Sequence, residues 1–511
     1  MEFLNSIISW FIKKRLHQID LFRKYPCEVQ RELLLKLTDS AKGTEWGKKY
    51  DYYSLKTMEE FKNRVPLQDY ESIKPYISRM KKGEQNLLWP TEIKWFAKSS
   101  GTTSDKSKFI PVSNESLEEC HYKGGKDMLA MYLDNRPDSK LFSGKGLVVG
   151  GANQINPFNN DSYYGDLSAI IIKNLPFWVE YLRTPDLTIA LMAEWEEKLE
   201  KMARSTMQED VSNITGVPSW TLVLLKRILE ITGKNNIMEV WPNLELYIHG
   251  GVSFTPYRDQ FKSIIPFAGM NYLETYNASE GFFGIQDDLK KDEMLLMLDY
   301  GIYYEFLPMA DFDSSGETSG KSVTQKTVSL EEVEINTNYA LIISTNAGLW
   351  RYNIGDTIRF TSLNPFKIQV TGRTKSFINA FGEELIRDNA EKALEEACLK
   401  TGAVIREYTA APVFMSAKGR GGHEWLIEFE LAPGNLNEFS AILDKKLKSV
   451  NSDYEAKRHK DLVLLPPLVR PLPAGTFYSW LKKRGKLGGQ NKIQRLSNDR
   501  RLVDEILLHF Q

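Results

Sequence analysis

Cysteine is scarce in this chain. Three in 511 residues, Cys27, Cys120 and Cys398, stand far apart with no Cys-x-x-Cys pair. That excludes a disulfide framework and a cysteine-based zinc cluster, and fits a reducing, cytoplasmic setting. Histidine is equally sparse: six, none at metal-ligand spacing. Net charge is almost absent, since 66 Lys and Arg against 67 Asp and Glu leave −1, too little to gather nucleic acid or an anionic membrane. No run approaches the ~18 to 20 apolar residues of a bilayer span. In the opening MEFLNSIISWFIKKRLHQIDLF the basic residues follow the short apolar stretch, the reverse of a signal peptide. Phe3, Leu4, Ile7, Ile8 and Phe11 have helical spacing, so a docked amphipathic helix is expected there, with membrane-surface contact as the alternative. Internal repeats and long low-complexity tracts are missing too.

What is present is length and apolar content. At 511 residues the chain exceeds one ordinary core, so two or more domains are expected, and 42% hydrophobic residues suffice to fill them. Helical patterns cover roughly 28–42, 113–133, 186–207 and 219–232, the last opening at Ser219 as N-cap and closing at Gly233. Strand-like runs fall between them at 146–151, 244–251, 272–279, 294–299 and 303–308. Helices interleaved with short apolar strands predict an α/β domain. From 340 the pattern becomes that of an antiparallel unit, with turns at Asn-Ala-Gly and Asn-Ile-Gly-Asp. A smaller α+β unit follows: a helix near 384–400, strands at 405–416 and 423–431, helices near 436–450 and 475–484, and a basic tail. The boundary is placed at 372–375, giving domains 1–372 and 373–511. DFDSSGETSGKSVTQ (311–325) is expected to be an exposed connection.

The most informative stretch is AKSSGTTSDKSKFI, residues 97–110. Ser99, Ser100, Thr102 and Thr103 surround Gly101, with Lys106 and Lys108 behind. Convergent backbone N–H groups, hydroxyl donors and a glycine for close approach make a phosphate cradle. It is neither a Walker A loop nor G-x-G-x-x-G; the plain alternative is a polar loop before a strand. NASEG (277–281) ends a strand-like run with Glu280, a natural magnesium ligand on a nucleotide or else an ordinary loop acid. WRYNIGD (350–356) sets Asp356 on a turn, where a carboxylate can accept both hydroxyls of a ribose, or simply make a Gly-Asp turn. GRTKSFINAFGEEL (372–385) combines a tight turn with Arg373 and Lys375, and alone reads as a linker.

In order and spacing, SSGTT, YNASE, RYNIGD and GR…GEE resemble the acyl-adenylating superfamily of acyl-CoA synthetases, peptide-synthetase adenylation domains and luciferases. The forms SSGTTSDKSKFIPVS, YNASEG, LWRYNIGD and NSDYEAKR (451–458) resemble one branch, the acyl-acid amido synthetases of the plant auxin-responsive, Gretchen Hagen type and their bacterial relatives. The resemblance spans nearly the whole chain. It implies a large N-terminal adenylate-forming domain of sheets flanked by helices, and a smaller mobile α+β C-terminal domain.

The resemblance also assigns roles. Ser99, Ser100, Gly101, Thr102 and Thr103 would hold the ATP phosphates, with Lys108 nearby. Asp105 stands where the family pattern usually has a second glycine. Gly250 and Gly251 of HGGVS would lie against adenine. Tyr276, Asn277, Ala278 and Ser279 would flank the base and the α-phosphate, Glu280 would face Mg2+, and Asp356 would take the ribose. Arg373 joins the ATP set, and Lys375 marks the hinge. Lys492, in GKLGGQNKIQRL, would be the lysine that the small domain swings in for adenylation; one more charge in a basic tail, or a nucleic-acid patch, is the alternative. His249 reads as structural, because an esterase oxyanion loop would need a G-x-S-x-G elbow that the chain lacks. Tyr163, Tyr164 and Trp220 are candidates for the acyl pocket. The implied activity is adenylation of a small carboxylic acid with ATP and Mg2+, then transfer to an amine, an amino acid being expected, by a cytoplasmic monomer without nucleic acid or membrane partners. A coenzyme A ligase, or a nucleotide-binding protein without catalysis, are the other classes.

Overall fold

A computed structural model describes residues 15–509 apart from 101–106, 151–154, 159–160, 176, 193, 252–253, 255–256, 310–325, 375–376, 384, 415–419, 462 and 484–492. The expected helix at Phe3–Phe11 and the connection 311–325 lie outside the described residues. No described helix is long and apolar enough to cross a membrane.

Eleven strands form the main sheet. From edge to edge they are Ile302–Pro308, Asn338–Thr345, Tyr352–Leu363, Phe366–Arg373, Met294–Leu296, Gly281–Ile285, Asn271–Ala278, Leu246–Gly250, Val211–Gly216, Lys145–Val149 and Arg183–Thr184. The last five are parallel to one another, with helices such as Pro218–Thr232 between them in sequence. A parallel strand covered on both faces must be apolar throughout, and Leu246, Tyr247 and Ile248 are all buried. The other strands are antiparallel. The antiparallel unit expected after 340 is there, but it extends the main sheet rather than standing apart. Its first turn needs Gly348, whose φ is +86° and whose added Cβ would lie 2.7 Å from Leu88 Cβ.

A four-stranded sheet holds the hairpin Trp95–Ser100 and Ser107–Val112 with Tyr163–Gly165 and Asn156–Pro157. The C-terminal unit has a three-stranded sheet, Val404–Val413, Gly422–Leu431 and Leu468–Leu472, besides the short pair Phe377–Ile378 and Leu385–Ile386. Period-2 alternation serves both faces of that sheet. Ala410 and Trp425 join the core shared with helices Arg387–Thr401 and Leu436–Val450, while Ala411 and Leu426 join Phe477, Trp480, Val503 and Ile506.

Several expected elements differ. The single helix over 113–133 is interrupted by a π-helical segment, Leu117–Tyr122, before Lys123–Asn135. There Cys120 Sγ accepts the Phe282 N–H at 3.1 Å, and Gly124 makes room for the Phe282 ring. The pattern at 186–207 divides into Leu187–Ala190 and Trp195–Thr206. Val217, not Ser219, is the N-cap of the next helix, because Pro218 suits the first helical position. The basic tail ends in an amphipathic helix, Arg501–His509, whose Val503 and Ile506 are fully buried.

The arginine of WRYNIGD is structural. Arg351 has φ +45° and is buried. Its guanidinium donates to Glu305, to the Thr327 hydroxyl at 2.9 Å, and to the carbonyls of Lys62 and Val65 at 2.7 Å each. Arg351→Met would strand the Glu305 charge and is expected to cost about 3 to 5 kcal/mol. Urea denaturation checks this; a loss under about 1 kcal/mol would show the pair to be dispensable.

Candidate active site

The motifs named from sequence converge where the parallel half of the main sheet gives way to the antiparallel half. Strand Leu246–Gly250 ends beside Thr275, with Gly250 and Thr275 in register. A Cβ on Gly250 would lie 2.4 Å from the Thr275 carbonyl oxygen, and Gly251 has φ +79°, so both positions require glycine. The next residue along the neighbouring strand is Tyr276, buried, whose hydroxyl donates to Asp356 Oδ2 at 2.7 Å. Arg373 Nε donates to Asp356 Oδ1 at the same distance, from the facing position of the adjacent strand. Burial above all, then the Asp356 charge, raises the Tyr276 pKa and keeps the phenol protonated as a donor. Gly250, Gly251, Tyr276, Asp356 and Arg373 therefore form one contiguous group.

Asn277 is exposed and Ala278 half-buried at the end of their strand. Ser279 and Glu280 make the two-residue turn to Gly281, which pairs back with Ala278. The half-buried Glu280 acts electrostatically on Tyr276 and Tyr352, which keeps its charge close to the group. The strands on either side of the hydroxyl-rich stretch form a hairpin: Ser99 pairs with Lys108 and Ser100 with Ser107. Lys108 is buried, 5.8 Å from the Tyr70 ring centre, and lines a cleft with Gly355, Arg373 and Phe377. The hairpin base thus opens toward the Asp356 group. Gly101, Thr102, Thr103, Lys375 and Lys492 lie outside the described residues, as does the side chain of Ser100.

His249 stacks on Phe254 with ring centroids 4.2 Å apart, and burial pushes its pKa down to about 3. It is an uncharged packing group. Of the aromatics suggested for the acyl pocket, Tyr164 stacks on Phe158 at 4.4 Å, Tyr163 tilts against Trp95, and Trp220 lies under the Lys457 ammonium at 4.2 Å. Sequence reasoning missed the Tyr276–Asp356 bond, and it missed Asp166 and Lys457, which act on each other electrostatically from the N-terminal and C-terminal units. Only NSDYEAKR, quoted for resemblance, pointed toward Lys457. Among the described residues no group of three or more His, Cys, Asp or Glu could hold a metal.

A large mixed sheet followed by a small α+β unit is the architecture this chain shares with adenylate-forming ligases of known structure. The GH3 family N-terminal domain matches residues 15–270, the GH3 family central domain 295–373 and the GH3 family C-terminal domain 388–501. The chain belongs to the GH3 family, the acyl-acid amido synthetases that its motifs resemble, and with the family comes the reaction type, amide formation by a ligase. Indole-3-acetic acid-amido synthetase GH3.4 of Arabidopsis thaliana is 24% identical across 94% of this chain and 91% of its own. The 4-substituted benzoates-glutamate ligase GH3.12 of the same plant is also 24% identical, across 86% of this chain and 87% of its own. In three dimensions the AtGH3.15 acyl acid amido synthetase in complex with 2,4-DB superposes with a TM-score of 0.62 at 17% identity, covering 97% of this chain and 96% of that one.

Proposed function

We propose that this protein adenylates a small carboxylic acid with ATP and magnesium, then joins the acyl group to an amino acid. The observation that carries this is the Gly250–Tyr276–Asp356–Arg373 group facing the hydroxyl-loop hairpin. Each carboxylate oxygen accepts two hydrogen bonds, and Asp356 spends one on each side on Arg373 and Tyr276. Two acceptor sites remain for a pair of ribose hydroxyls. The paired glycines admit a flat base against the backbone, and the hairpin holds the phosphates.

A carboxylate resists amide formation because its oxygen leaves poorly and its charge repels nucleophiles. Adenylation replaces that oxygen with AMP, a good leaving group. Charge develops on the α-phosphate and pyrophosphate, and Lys108, buried at the base of the hairpin, supports their assignment to this end of the group as a cation that would meet it. Glu280 fits magnesium: a cation held chiefly by substrate phosphates needs one or two protein carboxylates, not a full cage. When bound, it would supply Lewis-acid charge.

Acid-dependent ATP–pyrophosphate exchange, screened over indole-3-acetate, substituted benzoates and aliphatic acids, tests the first half-reaction. Silence across such a panel from folded, ATP-binding protein would leave only nucleotide binding. With amino acids and coenzyme A in competition, an amide is the expected product, and a dominant thioester would overturn the acceptor assignment.

A further inference from the structure

A second cluster stands apart from the nucleotide group. Helix Ser452–Arg458 of the C-terminal unit brings charges within electrostatic reach of the strand–helix turn at Asp166. Asp453 and Lys457, four residues apart and so on one helix face, both act on Asp166 electrostatically. Lys457 is buried; its ammonium lies 4.2 Å from the Trp220 ring and about one atom's contact, 3.5 Å, from a Cβ built on Gly382. Asp166 occupies the N-cap position of helix Leu167–Lys173, yet its side chain caps nothing. Among the described residues neither the Asp166 carboxylate nor the Lys457 ammonium has a hydrogen bond or a close ion pair. Asp166 directly follows Gly165, which pairs with Ala97, so the turn is level with Lys98 and the serines that open the phosphate hairpin.

Opposite charges held in a protein interface without hydrogen-bonding partners are costly. A ligand bearing both charges would satisfy them, and an α-amino acid carries an ammonium and a carboxylate on one carbon. We propose that Asp166 and Lys457 form the acceptor site: Asp166 receives the ammonium of an α-amino acid and takes its proton, and Lys457 receives the carboxylate. Asp453 adds negative charge on the ammonium side, and Trp220 is the apolar floor. The site exists only when the two domains meet, which ties acceptor binding to one domain arrangement. This assignment rests on the amide-forming reading above.

An ammonium has no lone pair and cannot attack. Transfer of one proton to Asp166 yields a neutral amine, whose nitrogen forms the C–N bond at the acyl carbonyl. The C–O bond to AMP breaks, AMP leaves with that electron pair, and the second nitrogen proton goes to solvent. Burial, with Asp453 beside it, pushes the Asp166 carboxyl up to about 6, against the pull of Lys457, Lys98 and Lys198, so it is more basic than an ordinary carboxylate.

The test supplies a pre-formed benzoyl-adenylate, which removes ATP from the assay, and offers either an L-amino acid panel or hydroxylamine, which is uncharged at neutral pH and has no carboxylate. Asp166→Asn should lower the rate with the best amino acid relative to hydroxylamine by about 10²-fold. Lys457→Met should raise the KM for that amino acid by about 10-fold, hardly change the KM for its carboxamide, and be partly rescued by Lys457→Arg. Unchanged amino-acid kinetics, or equal losses with amino acid and hydroxylamine, would overturn the site. A wild-type protein that turns over neither nucleophile would instead overturn the ligase reading on which it rests.

Discussion

Replacing Lys492 with Ala should lower the adenylation rate by about 10²- to 10³-fold while ATP still binds, because the lysine would act only on charge that develops in that step. The assignment comes from the family resemblance of QNKIQRL, and the single-turnover kinetics of each half-reaction can test it. Attack of a carboxylate on the α-phosphate places new negative charge on the phosphate and on departing pyrophosphate. A cation that meets this charge in the transition state, and not in the ground state, changes rate without changing affinity. Aminolysis of a supplied acyl-adenylate should survive the substitution, since the small domain would by then have turned the lysine away. Near-normal rates in both steps would make Lys492 one more charge in a basic segment. Equal damage to both would mark a structural role.

The contrast between Lys492 and Lys457 shows what a sequence can and cannot reveal here. Gly250, Gly251 and Tyr276 were singled out by the family resemblance of their short runs, and Asp356 also by its own chemistry, a carboxylate on a glycine turn. Asp166 and Lys457 have no such local mark. They lie 291 residues apart, one after a plain Tyr-Tyr-Gly strand and one within a charged helix, and become a pair only through domain packing. Arg351 was hidden for the opposite reason. It stands inside a recognisable motif, yet its five donors serve the scaffold, and nothing in WRYNIGD separates it from Asp356, the residue assigned to the ribose.

The fold divides along the same line. Interleaved strands and helices announced an α/β domain, and the turns after 340 an antiparallel unit. That both belong to one eleven-stranded sheet depends on Met294–Leu296 pairing with Phe366–Arg373, a long-range choice between strands that are apolar alike. The π-helical segment at 117–122 was invisible because its cause, the Phe282 ring and amide, lies 162 residues from Cys120. Helix Arg501–His509 was hidden by its arginines and acids; among its described side chains the buried face is Val503 and Ile506, with Leu502 and Leu507 beside them.

Asp356→Ala should raise the KM for ATP by roughly 10- to 150-fold, the equivalent of about 1.5 to 3 kcal/mol in charge-assisted hydrogen bonds. The carboxylate has two tasks, and the variants separate them. Arg373 and Tyr276 hold its two oxygens at 2.7 Å each, which fixes the plane of the group and leaves the remaining acceptor sites pointing in set directions. Tyr276→Phe removes one of these restraints without removing the carboxylate, so the KM should rise by only about 2- to 10-fold, the worth of one neutral-donor bond. Asp356→Asn keeps the shape but presents an NH2 to Arg373 or to the ribose, and can satisfy only one of them with its single oxygen. It should therefore resemble Asp356→Ala in KM more than wild type, with kcat reduced less than KM is raised, because ribose contacts are made alike in ground and transition states. Urea midpoints on the three variants separate loss of binding from loss of fold. If ATP kinetics are unchanged in a folded Asp356→Ala protein, the Asp356–Arg373–Tyr276 group is a structural clamp between strands, and the ribose must be held elsewhere.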